Sequence, residues 1–199
     1  QITVGVRNII AKTATWNDQL DSEIFHFNGN EVTMTGSVGT TSGVSFAMPI
    51  TDYGLKHLRN AELTFSMDYI IDSAITYGTT SPWIGAQLYV KRDTDSGGDT
   101  EYFQWYGNKT FPEEVMTEWK RHSTTWKISD YDVASAGILF FMRDAGGTVR
   151  FRYPKIGLGN KATDWSPAPE DIQEQLDNCV TDTNMEYYLS TSTTSLENG

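Results

Sequence analysis

Glu62-Leu63-Thr64-Phe65-Ser66-Met67-Asp68-Tyr69-Ile70-Ile71 alternates almost without a break. Leu63, Phe65, Met67, Tyr69 and Ile71 share one parity, while Glu62, Thr64, Ser66 and Asp68 share the other. Successive side chains of a strand point to opposite faces, so the pattern predicts a strand with one dry and one wet face. Residues 83–91 repeat it, with Ile84, Ala86, Leu88 and Val90 inward and Trp83, Gln87, Tyr89 and Lys91 outward. A polar loop, Arg92 to Thr100, leads to residues 101–106, where Phe103 and Trp105 are expected to point in and Tyr102, Gln104 and Tyr106 out.

On the N-terminal side, residues 1–12 read as strand and turn, and Trp16 precedes a short apolar run, Ile24 to Phe27. Asn28-Gly29-Asn30 then separates that run from Val32-Thr33-Met34-Thr35, which is a hairpin signal. Val44 to Met48 adds a strand, and one helical turn is expected between Tyr53 and Arg59. Towards the C-terminus, residues 118–128, 137–143 and 148–153 supply three more strands, the last two joined through Asp144-Ala145-Gly146-Gly147. Trp126, Phe140 and Met142 read as core. Eight to ten short strands with turn signals between them, and no alternating helices, predict an all-β fold. The expected architecture is a two-sheet antiparallel β-sandwich of the jelly-roll kind, with a short C-terminal helix and an extension.

The sandwich is expected to close near residue 168. Val149, Phe151 and Tyr153 alternate up to Pro154, then Gly157 and Gly159 follow, and Pro167 and Pro169 lack the N–H a ladder needs. Glu170 to Val180 reads as a helix with Ile172 and Leu176 at i, i+4 spacing. Its Glu170-Asp171 pair sits where a first helical turn favours negative charge. The domain reading is 1–168 for the sandwich and 169–199 for a linker helix and extension; the last stretch is too poor in core-forming residues to fold alone.

The formal net charge of −11 speaks against a nucleic-acid partner or an anionic membrane held by bulk electrostatics. It speaks likewise against non-specific capture of polyanionic teichoic acids, although a local basic patch would escape that argument. A single cysteine, Cys179, excludes an intrachain disulfide and a cysteine zinc cluster. No apolar run reaches the length of a membrane span, so no membrane insertion is expected, and Gln1-Ile2-Thr3-Val4 has no signal-peptide character.

The run Lys155-Ile156-Gly157-Leu158-Gly159-Asn160-Lys161-Ala162-Thr163-Asp164-Trp165-Ser166-Pro167-Ala168-Pro169-Glu170-Asp171 resembles the closing segment of jelly-roll modules in tail-tip and baseplate proteins of phages that infect Gram-positive bacteria. The opening Gly5-Val6-Arg7-Asn8-Ile9-Ile10 and the strand Trp119-Lys120-Arg121-His122-Ser123-Thr124-Thr125-Trp126 resemble segments of the same modules. Glu186 to Thr194 resembles the start of a small β module that follows them, which would make this chain a piece of a longer protein. The resemblance implies a carbohydrate-binding module in a virion, whose partners are host cell-wall polysaccharide and other phage tail subunits.

Sugars offer flat C–H faces and a rim of hydroxyls, so a site for them wants exposed rings beside amides or charged donors. If residues 83–91 pair with 101–106, then Trp83, Gln87, Tyr89, Tyr102, Gln104 and Tyr106 share one sheet face, the expected saccharide platform. Arg143, beside Asp144, would add a polar clamp at the end of that sheet. The plainer reading is a structural spacer whose outer tyrosines are covered by a loop or a neighbouring subunit.

A calcium loop is the second candidate: Asp93, Asp95 and Asp99 hold its first, third and seventh positions, with Gly98 at the sixth. Gly97 at the fifth and Gln104 at the twelfth depart from that pattern, which favours a solvated hairpin. By the resemblance, Asp164 is a further candidate ligand for a structural calcium ion where the chain ends meet. A cell-wall glycan hydrolase would need paired carboxylates, for which Glu113, Glu114, Glu118, Asp130 and Asp132 are available. His26, His57 and His122 are scattered, no nucleophile constellation accompanies them, and a non-enzyme is expected.

Overall fold

The computed structural model describes residues 7–13 and 22–181; the expected strand at residues 1–6, Trp16 and the 182–199 extension lie outside the described residues. The described chain forms nine strands: β1 (Phe25–Asn28), β2 (Glu31–Gly36), β3 (Ser45–Pro49), β4 (Glu62–Tyr77), β5 (Trp83–Arg92), β6 (Thr100–Tyr106), β7 (Lys120–Lys127), β8 (Val133–Arg143) and β9 (Ala145–Leu158). They pair antiparallel into a five-stranded sheet, β1-β2-β9-β4-β7, and a four-stranded sheet, β3-β8-β5-β6. The protein is a two-sheet antiparallel β-sandwich, as the alternation requires.

Between the sheets lie the inward parities of the sequence pattern. Leu63, Phe65, Met67 and Ile71 of β4 face Ile84, Ala86, Leu88 and Val90 of β5, all fully buried. Phe65 stacks on Trp126 at 5.6 Å and meets Trp105 edge-on at 5.5 Å, so one phenyl ring bridges β4, β6 and β7. Burying a ring of this size stabilises the fold by roughly 1.5–3 kcal/mol. Phe140 and Met142 lie in the same core. The Asn28-Gly29 signal becomes the β1–β2 hairpin, with Gly29 in the left-handed region at φ 58°. The expected helical turn is α1 (Asp52–Lys56), capped by Thr51 Oγ1, which accepts from Gly54 N at 3.1 Å.

Two expectations are corrected. Pro154 does not end the last strand: β9 runs through it to Leu158. A break in the β4–β9 register between Ser66/Lys155 and Asp68/Arg152, with Tyr153 at φ 57°, places Pro154 in a bulge, where no ladder needs its missing N–H. Thr64 and Ser66, assigned to the wet face, are 4% and 1% exposed. The segment after β9 doubles back over that face: Thr64 Oγ1 donates to Gly159 O at 2.8 Å, and the Lys155 ammonium donates to Asp164 O at 2.7 Å. Burial pushes the Lys155 pKa down, with Arg121 nearby acting in the same direction.

The chain ends are stitched to this strap. Asn8 Nδ2 donates to Ser166 O, and Asp171 accepts from Lys12 N and Thr13 N at 2.7 and 2.9 Å. Arg7 pairs with Glu170. The first turn of α2 (Pro169–Thr181) is thereby fixed to the sandwich, and Asp171 sits at the helix N-terminus, as expected from its charge. Asp144, only 2% exposed, is a second staple: its two carboxylate oxygens accept from Gly39 N and Thr80 N, both at 2.7 Å.

Candidate functional site

β5 and β6 pair through the 92–100 loop. Tyr89 lies directly opposite Tyr102, and Gln87 opposite Gln104, on the outer face of the four-stranded sheet. Trp83 pairs with Arg143 across β5 and β8. Because strand parity is fixed, Trp83, Gln87, Tyr89, Tyr102, Gln104 and Arg143 share that face. Tyr102 is 58% exposed, and Trp83 and Tyr89 are partly so.

Two glycines set the attitude of the rings. A Cβ on Gly137 would come within 2.6–2.8 Å of the Tyr89 hydroxyl and ring edge, so Tyr89 lies across the bare backbone of β8. Trp83 likewise packs on Gly107, its Nε1 just 2.0 Å from where a Cβ would stand, and tilts against Phe141 with ring centroids 4.3 Å apart. Tyr89, laid across the sheet, offers a ring face to a ligand, whereas Trp83 meets Gly107 with its indole N–H edge and offers the rim of its ring. Arg143 donates from Nε and Nη2 to the backbone and hydroxyl oxygens of Ser81, which holds its guanidinium 5.2 Å from the Trp83 ring centroid.

Tyr106 does not belong to this row. It ends β6 at φ 58°, opposite Gly85 at φ 148°, and that left-handed turn throws its ring to the sandwich interior. There it contacts Trp105, Phe111 and His122, and its hydroxyl lies 3.4 Å from that of Tyr69 and 3.3 Å from His122 Nδ1. Burial raises the Tyr106 pKa, aided by the Tyr69 hydroxyl, and burial lowers that of His122, with Lys120 adding to the effect.

The acidic loop, the second candidate, is a compact turn. Asp93 turns back on its own loop, accepting from Asp95 N at 3.1 Å and capping a 3-10 turn over Thr94–Ser96. The loop then closes on itself through Gly97 and Gly98, both at positive φ. Among the described residues no group of three or more His, Cys, Asp or Glu side chains is placed to hold a metal, so Asp93, Asp95, Asp99 and Asp164 do not converge. Asp130 and Asp132, proposed for hydrolysis, both pair with Arg59.

Sequence reasoning missed the β8 side of the face. Leu139 and Phe141 line, with Trp83, Gln87 and Arg143, a shallow pocket of about 120 Å³. The signal was present, since Leu139 and Phe141 are apolar at the parity opposite to core Ile138 and Phe140. The strands of this sheet contain one acidic residue, Glu101, which is occupied by Ser129 and Tyr131.

The outer face of the other sheet also carries rings, but they are already covered by the protein itself. Arg152 stacks 3.9 Å from the Trp119 centroid and Trp165 packs on Tyr153 at 4.9 Å. The arginines there are neutralised across the strands: Arg150 by Asp72 and Glu31, Arg152 by Asp68, Arg121 by Asp68. That surface reads as a cross-strand charge ladder holding the loop before β7.

Among the described residues no helix is long and apolar enough to cross a membrane. No family model matches the chain, and no curated protein sequence matches it. Solved structures with a similar path include the tripod of the baseplate of bacteriophage Tuc2009, at 18% identity and TM-score 0.46, covering 85% of this chain. The present chain spans 61% of that tripod chain. A CBM22-1 xylan-binding domain from Paenibacillus barcinonensis aligns at 14% identity and TM-score 0.40, over 71% of this chain and 80% of that one. The enzymatically active domain of tailspike protein 4 of bacteriophage CBA120 aligns at 10% identity and TM-score 0.49, over 76% of this chain and 21% of that one. At such identities a likeness describes the path of a chain and not its ligand.

Proposed function

We propose that the chain is a non-catalytic adhesion module of a phage tail-tip or baseplate protein, and that the outer face of its four-stranded sheet binds host cell-wall saccharide. The observation that carries the reading is the row of rings interleaved with amides on one sheet face: Tyr89 opposite Tyr102, Gln87 opposite Gln104, and Trp83 at the Arg143 end. Rings give stacking surface for C–H faces, and amides give donors and acceptors for hydroxyls. The phage setting rests on the resemblance of residues 155–171 to the closing segment of tail modules. Residues 169–199 would lead from the module towards the rest of such a protein.

The non-catalytic part of the reading rests on the chemistry of the face. Glycoside hydrolysis needs two carboxyl groups flanking the bond. The strands of this sheet offer Glu101 alone, and its two oxygens are held by the hydroxyls of Ser129 and Tyr131. One shallow site binds weakly, and many copies on a particle raise avidity without new contacts.

A pull-down of the chain on purified cell walls of Gram-positive bacteria tests the reading. Retention on the polysaccharide fraction, lost on Trp83→Ala with Tyr89→Ala in a protein of unchanged fold, is the expected result. Absence of retention on any wall tested favours a structural spacer, and release of reducing sugar favours a hydrolase.

A further inference from the structure

We infer that the Trp83–Arg143 end of this face takes an anionic group carried by the saccharide, a uronate carboxylate or a phosphodiester; the inference rests on the saccharide reading above and narrows its ligand. The chain carries a net charge of −11, yet its cation at this site is uncompensated. Arg7, Arg59, Arg121, Arg150 and Arg152 each pair with a carboxylate, and Arg92 lies over the Tyr131 ring. Arg143 has no carboxylate partner among the described residues, and its bonds run to Ser81 alone.

Those bonds make it a prepared donor. Two of its N–H groups are held by a neutral serine, which fixes the plane of the guanidinium without cancelling its charge. Nη1 is left without a partner among the described residues, and the adjoining pocket is floored by Trp83, Leu139 and Phe141 with Gln87 at its side. The neighbouring carboxylate, Asp144, is 2% exposed, and both of its oxygens already accept backbone N–H groups from Gly39 and Thr80. Lys91, at the other end of β5 on the same parity, adds a second exposed cation. A neutral sugar needs only the rings and the amides. An apolar floor with a tethered guanidinium at its rim fits a sugar ring whose substituent presents two anionic oxygens.

Calorimetric titration of the full chain decides this with three probes: a glucuronate-containing oligosaccharide, the same oligosaccharide after carboxyl reduction, and a phosphodiester-linked oligosaccharide. At least one anionic probe is expected to bind about tenfold more tightly than the reduced one, the worth of a charge-assisted hydrogen bond. Added salt should shrink that difference, Arg143→Gln should remove it, and Arg143→Lys should keep part of it. Which anionic probe binds identifies the source of the charge. Equal affinity for reduced and acidic probes overturns the anionic inference and leaves the saccharide reading standing, as does an Arg143→Gln variant that weakens all probes alike. No binding of any probe, or of wall polysaccharide, overturns both. The comparison of probes on the unaltered protein is decisive even if the Arg143→Gln chain does not fold.

Discussion

The carboxamide of Asn8 donates to Pro154 O at 3.1 Å while its oxygen accepts from Ile156 N at 3.2 Å, so one fully buried side chain spans the bulge in β9 from the opposite end of the sequence. It also holds Ser166 O and Ile10 N. Asn8→Ala leaves several buried backbone groups without partners, each costing about 1–3 kcal/mol. A loss of about 3 kcal/mol or more in urea unfolding is expected.

Asp144 couples stability to the site. Its carboxylate fixes the Gly39 and Thr80 amides, and Thr80 adjoins Ser81, which orients Arg143. Asp144→Ala should cost about 3 kcal/mol and also weaken binding of an anionic glycan. Asp144→Asn should be milder on both counts, since its amide oxygen still accepts one N–H and asparagine tolerates the φ of 46° found there. Chemical unfolding and titration on the same samples check both.

Gly137→Ala targets the platform without touching a ring. The new Cβ would stand 2.6 Å from the Tyr89 hydroxyl oxygen, so the ring must lift off the sheet. Glycan affinity should fall by roughly the worth of one stacked ring, up to about tenfold. Far-ultraviolet circular dichroism and the unfolding midpoint should change little, and ring-proton shifts of Tyr89 should report the displacement.

His122 predicts a pH dependence of definite sign. Burial, then the Lys120 charge, lowers its pKa below the ordinary 6.5, so the unfolded chain takes up a proton that the folded one refuses. Its contribution is therefore fully present above about 6.5 and is lost as pH falls from there through the folded value. His122→Gln should flatten the unfolding midpoint across that window relative to the unaltered protein, measured between about pH 7.5 and about pH 5. A parallel decline in both proteins would assign the effect to carboxylates instead.

What was legible in the sequence followed from strand parity. Period-two alternation places Leu63 to Ile71 and Ile84 to Val90 in the core, and a short loop between β5 and β6 makes a common face for Gln87, Tyr89, Tyr102 and Gln104 foreseeable. Parity fails wherever the backbone leaves the extended region, which is why Tyr106 turns inward against its parity and β9 continues past Pro154. It is equally blind to what covers a face. Ser66 has the parity of the wet face, and nothing local announces that the strap around Asp164 and Ser166 folds over it. The Asp144 staple joins loops about forty to a hundred residues apart in sequence, and Arg143 gains its meaning only beside Ser81.

Affinity of the chain for wall polysaccharide, before and after the Trp83→Ala, Tyr89→Ala pair, bears most directly on the adhesion claim. The expected result is saturable binding that falls roughly a hundredfold, about tenfold per ring, with the unfolding midpoint preserved. Binding that survives the loss of both rings would contradict it.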